Sequence, residues 1–360
     1  TKPSSLKQSA YISIVTFLLE NFNASSDAET KVDILRALSI ILYDNIHNNS
    51  KNFEELVPLL IQVADKSTRP LEVRRMAINC LGNICCNAGT KLQNYYSAIF
   101  EVIMSNISMV EHTSQGTTMI VARSLDFNDQ ALRRVASSTL RSLHLLLYED
   151  KSILSNKLVD IVDIIRTFVF YNINPTTYKH AKEDAYLTPV NSMQLLPHQQ
   201  RMSHLRQQEQ TKRLSAGFSP LSNLSNNREY GAVSSDSEIS DSEAINPGSR
   251  RHRDNAKIRI NALLCLQAIA KTSPKAFYPY WESFIPHNFD PFAYYNKMKG
   301  TSETQLDRSL ASYLLYVEHT HSLFTILLFD PTPNVRMAVS NVLMGMLDGS
   351  KQYLSVAVAR

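Results

Sequence analysis

A hydrophobic residue followed by arginine recurs in four amphipathic segments of this chain, and this repeated pattern restricts the fold more than any other feature. In the last segment, residues 329–347, Val335, Val339 and Leu343 recur at helical spacing and form one apolar face. A single helix cannot bury such a face alone, so it needs a partner helix and stacked neighbours. The pattern therefore predicts an array of repeated helical units. Its arginines are Arg74, Arg133, Arg259 and Arg336.

Apolar residues recur every three or four positions through most of the chain, which predicts an all-α fold. Helices of about 15 to 20 residues joined by short turns fit two-helix repeats of roughly 40 residues, so we expect an α-solenoid of stacked helical hairpins. Ser26 and Glu29 predict a capping box at the start of the second helix. A later helix is predicted to end near Met109, before a polar loop at residues 111–118.

Residues 189–253 differ from the sequence on either side of them. They are rich in Ser, Asn, Gln and Arg, show no sustained period, and hold too few large apolar side chains to offset the entropy of ordering the chain. We predict a disordered insertion here. It divides the chain into helical repeats at 1–188 and further helical repeats at 254–360, which we expect to continue in a longer protein.

Several serines of this insertion match kinase recognition patterns. Within the acidic run 234–243, Ser235 and Ser240 each precede a glutamate by three residues, as acidophilic kinases prefer, and each phosphate would add about −1.5 to −2 charge. Ser215 follows a basic pair, and Ser219 precedes a proline. The alternative is a solvated, unmodified linker. For the basic residues that flank the run we favour a solvated linker over a nucleic-acid site, because no aromatic residues are interleaved with them to stack on bases.

Composition excludes several classes of protein. The chain has 37 basic and 33 acidic residues, and its net charge of +4 is too small to indicate an obligate nucleic-acid partner. No run approaches the length and apolarity of a membrane span. The four cysteines show no metal or disulfide spacing and predict reduced thiols in the cytosol or nucleus. We find no GxSxG, HExxH or phosphate-loop pattern, so we expect no enzyme, metal or cofactor.

The motif itself resembles the second helix of HEAT repeats: a turn with Asp or Pro, a hydrophobic–arginine pair, then small residues. That resemblance implies a HEAT/armadillo-like solenoid in which the arginine bonds to a turn aspartate or to a neighbouring repeat, forming a structural ladder. Asp330 with Arg336 fits this pattern best. Looser pairs are Asp126 with Arg133 and Asp254 with Arg259, whereas no aspartate is well placed for Arg74.

Two blocks, residues 257–286 and 328–357, together resemble the HEAT repeat-containing protein 6 family, and the acidic run ahead of them is also similar. Members of that family carry a long helical domain of unknown function in their N-terminal half. The resemblance implies a noncatalytic, scaffold-like protein and brings no known active site.

An aromatic cluster in the first of these blocks is the candidate partner-binding patch, since Trp and Tyr dominate interaction hot spots. The alternative is that these side chains pack the junction between two repeats. The cluster comprises Tyr278, Tyr280, Trp281 and Phe284.

Taken together, the sequence predicts a noncatalytic scaffold that binds other proteins and is regulated by phosphorylation of its insertion. One alternative is a nucleocytoplasmic transport receptor or adaptor, although the chain lacks the repeated Trp and Asn residues that armadillo-type carriers use. Another is a nucleic-acid-associated helical repeat, which would need a basic stripe. We expect no small-molecule substrate and no membrane partner.

Overall fold

The computed structural model describes residues 8–45, 53–86, 88–112, 118–124, 129–173, 247–285 and 321–358. These residues are mostly helical, which confirms the predicted all-α class. The helices are α1 (Gln8–Ala24), α2 (Ala28–Asn45), α3 (Phe53–Val63), α4 (Leu71–Cys85), α5 (Tyr96–Ile107), α6 (Gln130–Glu149), α7 (Ser152–Val169), α8 (Pro247–Thr272), α9 (Pro274–Phe277), α10 (Leu323–Phe329) and α11 (Pro333–Val358). Short 3₁₀ turns lie at Gly89–Leu92 and Tyr278–Ser283.

Side-chain caps fix where two of these helices begin. The Asp27 carboxylate accepts a hydrogen bond from the backbone nitrogen of Thr30 at 2.7 Å, so Asp27 caps α2. The predicted cap at Ser26 is therefore wrong by one residue, because the aspartate side chain reaches the free amide of the first turn. Asp129 caps α6 in the same way, accepting from the nitrogen of Leu132 at 3.0 Å.

A β-hairpin between α5 and α6 was not predicted. Strand β1 (Ser108–His112) pairs with β2 (Thr118–Ala122) in antiparallel register, with Val110 opposite Ile120. The loop predicted at 111–118 thus includes parts of both strands, because β-branched residues favour extended backbone over helix. The nitrogen of Arg123 donates to the carbonyl of Ile107 at 2.7 Å and closes the base of the hairpin.

Helix α8 begins at Pro247, seven residues before the predicted start at Asp254. Proline suits the first turn of a helix because it lacks the amide hydrogen that would be unsatisfied there, and the arginines that follow are good helix formers. The predicted insertion boundary at residue 253 is therefore corrected to an earlier position. The remainder of that insertion, residues 189–246, lies outside the described residues.

The helices pack in pairs and then side by side. Contacts join α1 to α2, α3 to α4, α5 to α6, and α10 to α11, while α4 packs against both α2 and α6. Side-chain hydrogen bonds join α8 to α6, and the backbone of α11 at Gly349 lies close to Ala270 of α8. A contiguous apolar core runs between these helices. Motif residues lie within or just before α4, α6, α8 and α11. These four helices therefore lie side by side in the same order as in the sequence.

Helix α4 lies close against Ser142 of α6 at Gly82. A Cβ atom placed on Gly82 would lie 2.8 Å from Ser142 Cβ and 2.9 Å from Ser142 Cα, which is too close without movement of the α6 backbone. We expect Gly82→Ala to lower the free energy of unfolding by about 1–3 kcal/mol in urea denaturation. At Gly345, where the nearest atom would be 3.8 Å away, the matched Gly345→Ala change should cause no loss. Equal effects of the two changes would contradict this account of the contact.

Among the described helices, none combines the length and the apolar character that a membrane span requires.

Candidate interaction site

A buried ion pair joins Arg259 of α8 to Asp330, which lies in the turn before α11. The Arg259 Nη2 atom is 2.9 Å from Asp330 Oδ2, and the two side chains are only 7% and 1% exposed. Arg259 Nη1 also donates to the carbonyl of Tyr171 at 3.3 Å. Asp330 Oδ1 accepts from the nitrogen of Thr332 at 2.8 Å. One buried pair therefore connects the residues after α7, helix α8 and the turn that leads into α11.

A similar but looser contact joins α6 to α8. Arg133 Nη2 lies 4.0 Å from Asp254 Oδ2, and Gln130 Nε2 donates to the same oxygen at 3.3 Å. Arg133 is almost fully buried. In both contacts the arginine of one motif meets the aspartate of the next motif along the chain.

The predicted pairing of Asp330 with Arg336 is wrong. Val335 and Val339 turn inward from α11, which leaves Arg336 on the exposed side of the helix, while Asp330 pairs with Arg259. The looser pairing of Asp254 with Arg259 is wrong for the same reason, since Asp254 contacts Arg133. The predicted pair of Asp126 with Arg133 stays a prediction, because Asp126 lies outside the described residues.

Arg74, the first of the motif arginines, is buried like Arg133 and Arg259. It has a different partner, because its Nη1 donates to the backbone carbonyl of Lys66. Three of the four predicted ladder arginines are therefore internal, and two of them are joined to aspartates of the following motif.

Asparagine side chains tie neighbouring helices together in a way that we did not predict. Asn83 Nδ2 in α4 donates to the carbonyl and the hydroxyl of Ser39 in α2, at 2.8 and 2.9 Å. Asn261 in α8 makes the same two bonds to Ser137 in α6, at 2.9 and 3.0 Å. One feature of the sequence could have indicated these bonds. Each asparagine lies in a predicted helical segment near its apolar stripe, where an unpaired amide would be costly.

Two cysteines occupy equivalent positions, each six residues after a motif arginine. The Sγ of Cys80 donates to the carbonyl of Leu35 at 3.2 Å, and the Sγ of Cys265 donates to the carbonyl of Leu140 at 3.1 Å. Burial raises the pKa of both thiols, which keeps them protonated and able to donate. These cysteines act as small internal hydrogen-bond donors.

The predicted aromatic patch is divided between core and surface. Phe284 is fully buried and packs on Phe277 with ring centroids 5.9 Å apart. Tyr278 is 44% exposed and lies against Trp281, with centroids 5.1 Å apart. Tyr280 and Trp281 are half-buried against the core. Packing therefore accounts for Phe284, and the accessible part of the patch is Tyr278 with the edge of Trp281.

A second exposed apolar surface lies on α11, for which only a buried face was predicted. Met337, Met344 and Leu347 are about half-exposed, and their spacing places them on one side of the helix. We call these three residues the α11 face. The opposite side of α11, with Val335, Val339 and Val342, is buried in the core.

The candidate phosphorylation sites Ser215, Ser219, Ser235 and Ser240 all lie outside the described residues. Within the described part of the chain, no group of three or more His, Cys, Asp or Glu side chains could hold a metal ion.

Comparison with known proteins identifies relatives whose functions are unknown. A family described as a domain of unknown function (DUF4042) matches residues 311–360. An uncharacterized protein of Dictyostelium discoideum is 26% identical over 354 aligned positions, which cover 90% of this chain and 20% of that protein. The chain thus spans about a fifth of the length of that curated relative. No solved structure matches the chain.

Proposed function

We propose that this chain is a section of a HEAT-like α-solenoid and works as a noncatalytic scaffold for other proteins. Its architecture is supported by the order in which α2, α4, α6, α8 and α11 pack and by the polar contacts repeated between them. In a solenoid each hairpin contacts mainly its neighbours, and the side chains left on the surface determine what binds. The resemblance to the HEAT repeat-containing protein 6 family remains a prediction that accompanies this proposal.

The observation that carries the binding role is the α11 face. Met337, Met344 and Leu347 expose apolar surface on a helix whose other side is anchored in the core. Flexible methionine side chains are enriched in protein interfaces and adapt to the surfaces that they contact. The anchored helix would hold these side chains in place while a partner covers them.

Phosphorylation at Ser235 and Ser240 is the proposed regulatory input, and the cytosol or nucleus is the proposed location. The location is supported by Cys80, Cys85 and Cys265, which are buried thiols outside any disulfide.

A variant-dependent binding experiment tests the scaffold proposal. The tagged chain is crosslinked to its neighbours in cells, alongside a Met344→Lys variant and a control Val159→Lys variant that places the same charge at an exposed apolar position on α7. We expect defined protein partners to be recovered with the wild-type and control chains. Their recovery should fall about tenfold with Met344→Lys, because a lysine would be desolvated in an apolar interface. Recovery of no specific protein with the wild-type chain would overturn the scaffold role, and equal recovery with all three chains would overturn the role of the α11 face.

A further inference from the structure

The surroundings of Arg74 differ from those of the other two buried motif arginines. Arg133 and Arg259 each lie near an aspartate of the next motif. Arg74 is only 4% exposed, yet its one hydrogen bond is to the neutral carbonyl of Lys66. Its Nε atom is buried without a hydrogen-bond partner in the described part of the chain, as is that of Arg259, so it is the neutral partner of Arg74 that distinguishes it. A charge buried in this way is costly unless an anion accompanies it.

A second arginine whose charge acts on Arg74 is also bonded to neutral carbonyls. Arg123 follows β2, and its Nη2 donates to the carbonyls of Ser105 and Ser108 at 3.2 and 3.4 Å. The Nε atom of Arg123 is also buried and has no hydrogen-bond partner. Both contacts of Arg123 are again with neutral carbonyls.

A hydrogen bond connects the segments that contact Arg74 and Arg123. Asn106 lies between Ser105 and Ser108, whose carbonyls accept from Arg123. Its Nδ2 atom donates to the carbonyl of Ala64 at 3.0 Å. Ala64 lies two residues before Lys66, whose carbonyl accepts from Arg74. The α3–α4 turn also carries Arg69, whose side chain is exposed. Three guanidinium groups therefore lie near one another, one from the α3–α4 turn, one from the first turn of α4 and one from the residue after β2.

Negative charge does not balance this cluster. Burial lowers the pKa of Arg74, and the nearby positive charges of Arg69 and Arg123 lower it further, whereas Asp65 acts in the opposite direction. The Asp65 carboxylate is already bonded to Ser67, from the backbone nitrogen at 2.8 Å and from the hydroxyl at 2.5 Å. Three arginines and one carboxylate, that of Asp65, therefore lie in this region, which leaves a surplus of positive charge.

We propose that Arg69, Arg74 and Arg123 form a binding site for a phosphate group. A phosphate has several oxygens that can accept from more than one guanidinium at once, and such charge-assisted bonds are stronger than neutral ones. Arg74 forms the buried floor of the site and Arg69 its accessible rim. A single phosphate at the tip of a protein side chain reaches such a floor, whereas a nucleic-acid backbone favours a row of exposed basic residues. A phosphorylated side chain and free inorganic phosphate share this chemistry.

The test uses the full 360-residue chain, produced without kinases. Thermal unfolding is followed in sodium phosphate and in sodium chloride of equal ionic strength. Binding of a peptide with the sequence of residues 234–243, phosphorylated at Ser235 and Ser240, is measured by fluorescence anisotropy beside its unphosphorylated form. The variant is Arg69→Gln, chosen because this side chain is exposed and makes no hydrogen bond to the described residues. The control is Arg166→Gln, which removes an exposed charge on α7.

We expect phosphate to raise the unfolding midpoint of the wild-type and control chains by about 2–4 °C more than that of Arg69→Gln. General salt stabilisation acts equally on all three chains and cancels in this comparison. The phosphopeptide should bind about tenfold more weakly to Arg69→Gln, since one charge-assisted contact is lost. Stabilisation by inorganic phosphate without phosphopeptide binding would assign the site to free phosphate.

Three outcomes would overturn the proposal. One is an equal response of wild-type and Arg69→Gln chains to phosphate and to the phosphopeptide. Another is equal loss of binding in Arg69→Gln and Arg166→Gln, which would show a general charge effect. The third is single-stranded RNA that binds more tightly than the phosphopeptide and loses affinity in Arg69→Gln, which would make the cluster part of a nucleic-acid surface.

Discussion

Replacement of Arg259 by glutamine is expected to lower the free energy of unfolding by about 3–5 kcal/mol. The change leaves Asp330, which is 1% exposed, as a buried carboxylate without its cationic partner. It also shortens the donor that reaches the carbonyl of Tyr171. Urea denaturation followed by circular dichroism measures the loss, and Asp330→Asn should produce a loss of similar size because it removes the other half of the same pair.

Arg336→Gln is the matched control for this prediction. It makes the same chemical change at the equivalent motif position, but Arg336 is exposed and Asp330 is engaged elsewhere. We expect its effect to stay within about 0.5 kcal/mol. A loss at Arg336 as large as the loss at Arg259 would restore the pairing of Asp330 with Arg336 and contradict the contacts described above.

Acid is expected to destabilise the chain through His144, a residue of α6 that the sequence analysis did not select. Burial lowers the pKa of His144 from 6.5 to about 3, and the positive charges of Arg141 and Lys271 contribute in the same direction. Its ring packs edge-to-face on Tyr148, with centroids 5.1 Å apart. The folded state therefore keeps this imidazole neutral at pH values where the unfolded chain protonates it.

The sign of the pH dependence follows from that difference. Above pH 6.5 both states hold His144 neutral, so it contributes no pH dependence. As the pH falls from 6.5 towards 3, the unfolded state binds a proton that the folded state does not, and the free energy of unfolding decreases by up to about 1.4 kcal/mol per pH unit. Between pH 7.5 and 5 the loss from this one residue should reach about 2 kcal/mol.

Denaturation of the wild-type chain and of His144→Gln at several pH values between 7.5 and 5 measures this contribution. Carboxylates with lowered pKa values, such as Asp27, Asp65 and Glu72, add pH dependence only at more acidic values and are common to both chains. The variant should lose less stability over this interval than the wild type by about 2 kcal/mol. Identical slopes for the two chains would mean that His144 is accessible to protons in the folded state.

Periodicity was sufficient to predict the helices but not the contacts between them. Val335 and Val339 are buried as their spacing predicts, because a 3.6-residue period reports which side of a helix faces inward. The partner of Asp330 could not be deduced in this way, since both Arg336 and Arg259 fit a turn aspartate and only the packing of α8 on α11 selects Arg259. Pairing within one motif was the simpler prediction, and it failed for that reason.

Two other misses have local causes. Val110 and Ile120 belong to short apolar runs, in which a strand and the end of a helix have similar patterns, and the cross-strand partner decides between them. The proposed phosphate site could not be recognised at all, because Arg69 and Arg123 are far apart in sequence and the contact between their segments, such as the bond of Asn106 to Ala64, depends on the fold. Residues remote in sequence and unrelated in pattern give no periodic signal.

The contacts between α6 and α8 also have a consequence for how the chain assembles. Asn83 bonds to a serine 44 residues away, whereas the equivalent bond of Asn261 closes a loop of 124 residues. Closing the longer loop costs about 1 kcal/mol more conformational entropy, because the cost grows with the logarithm of loop length. The N-terminal hairpins can therefore form from local contacts. Among the hydrogen bonds of the described residues, those between α6 and α8 join the residues farthest apart in sequence, so this junction requires the longest search in folding.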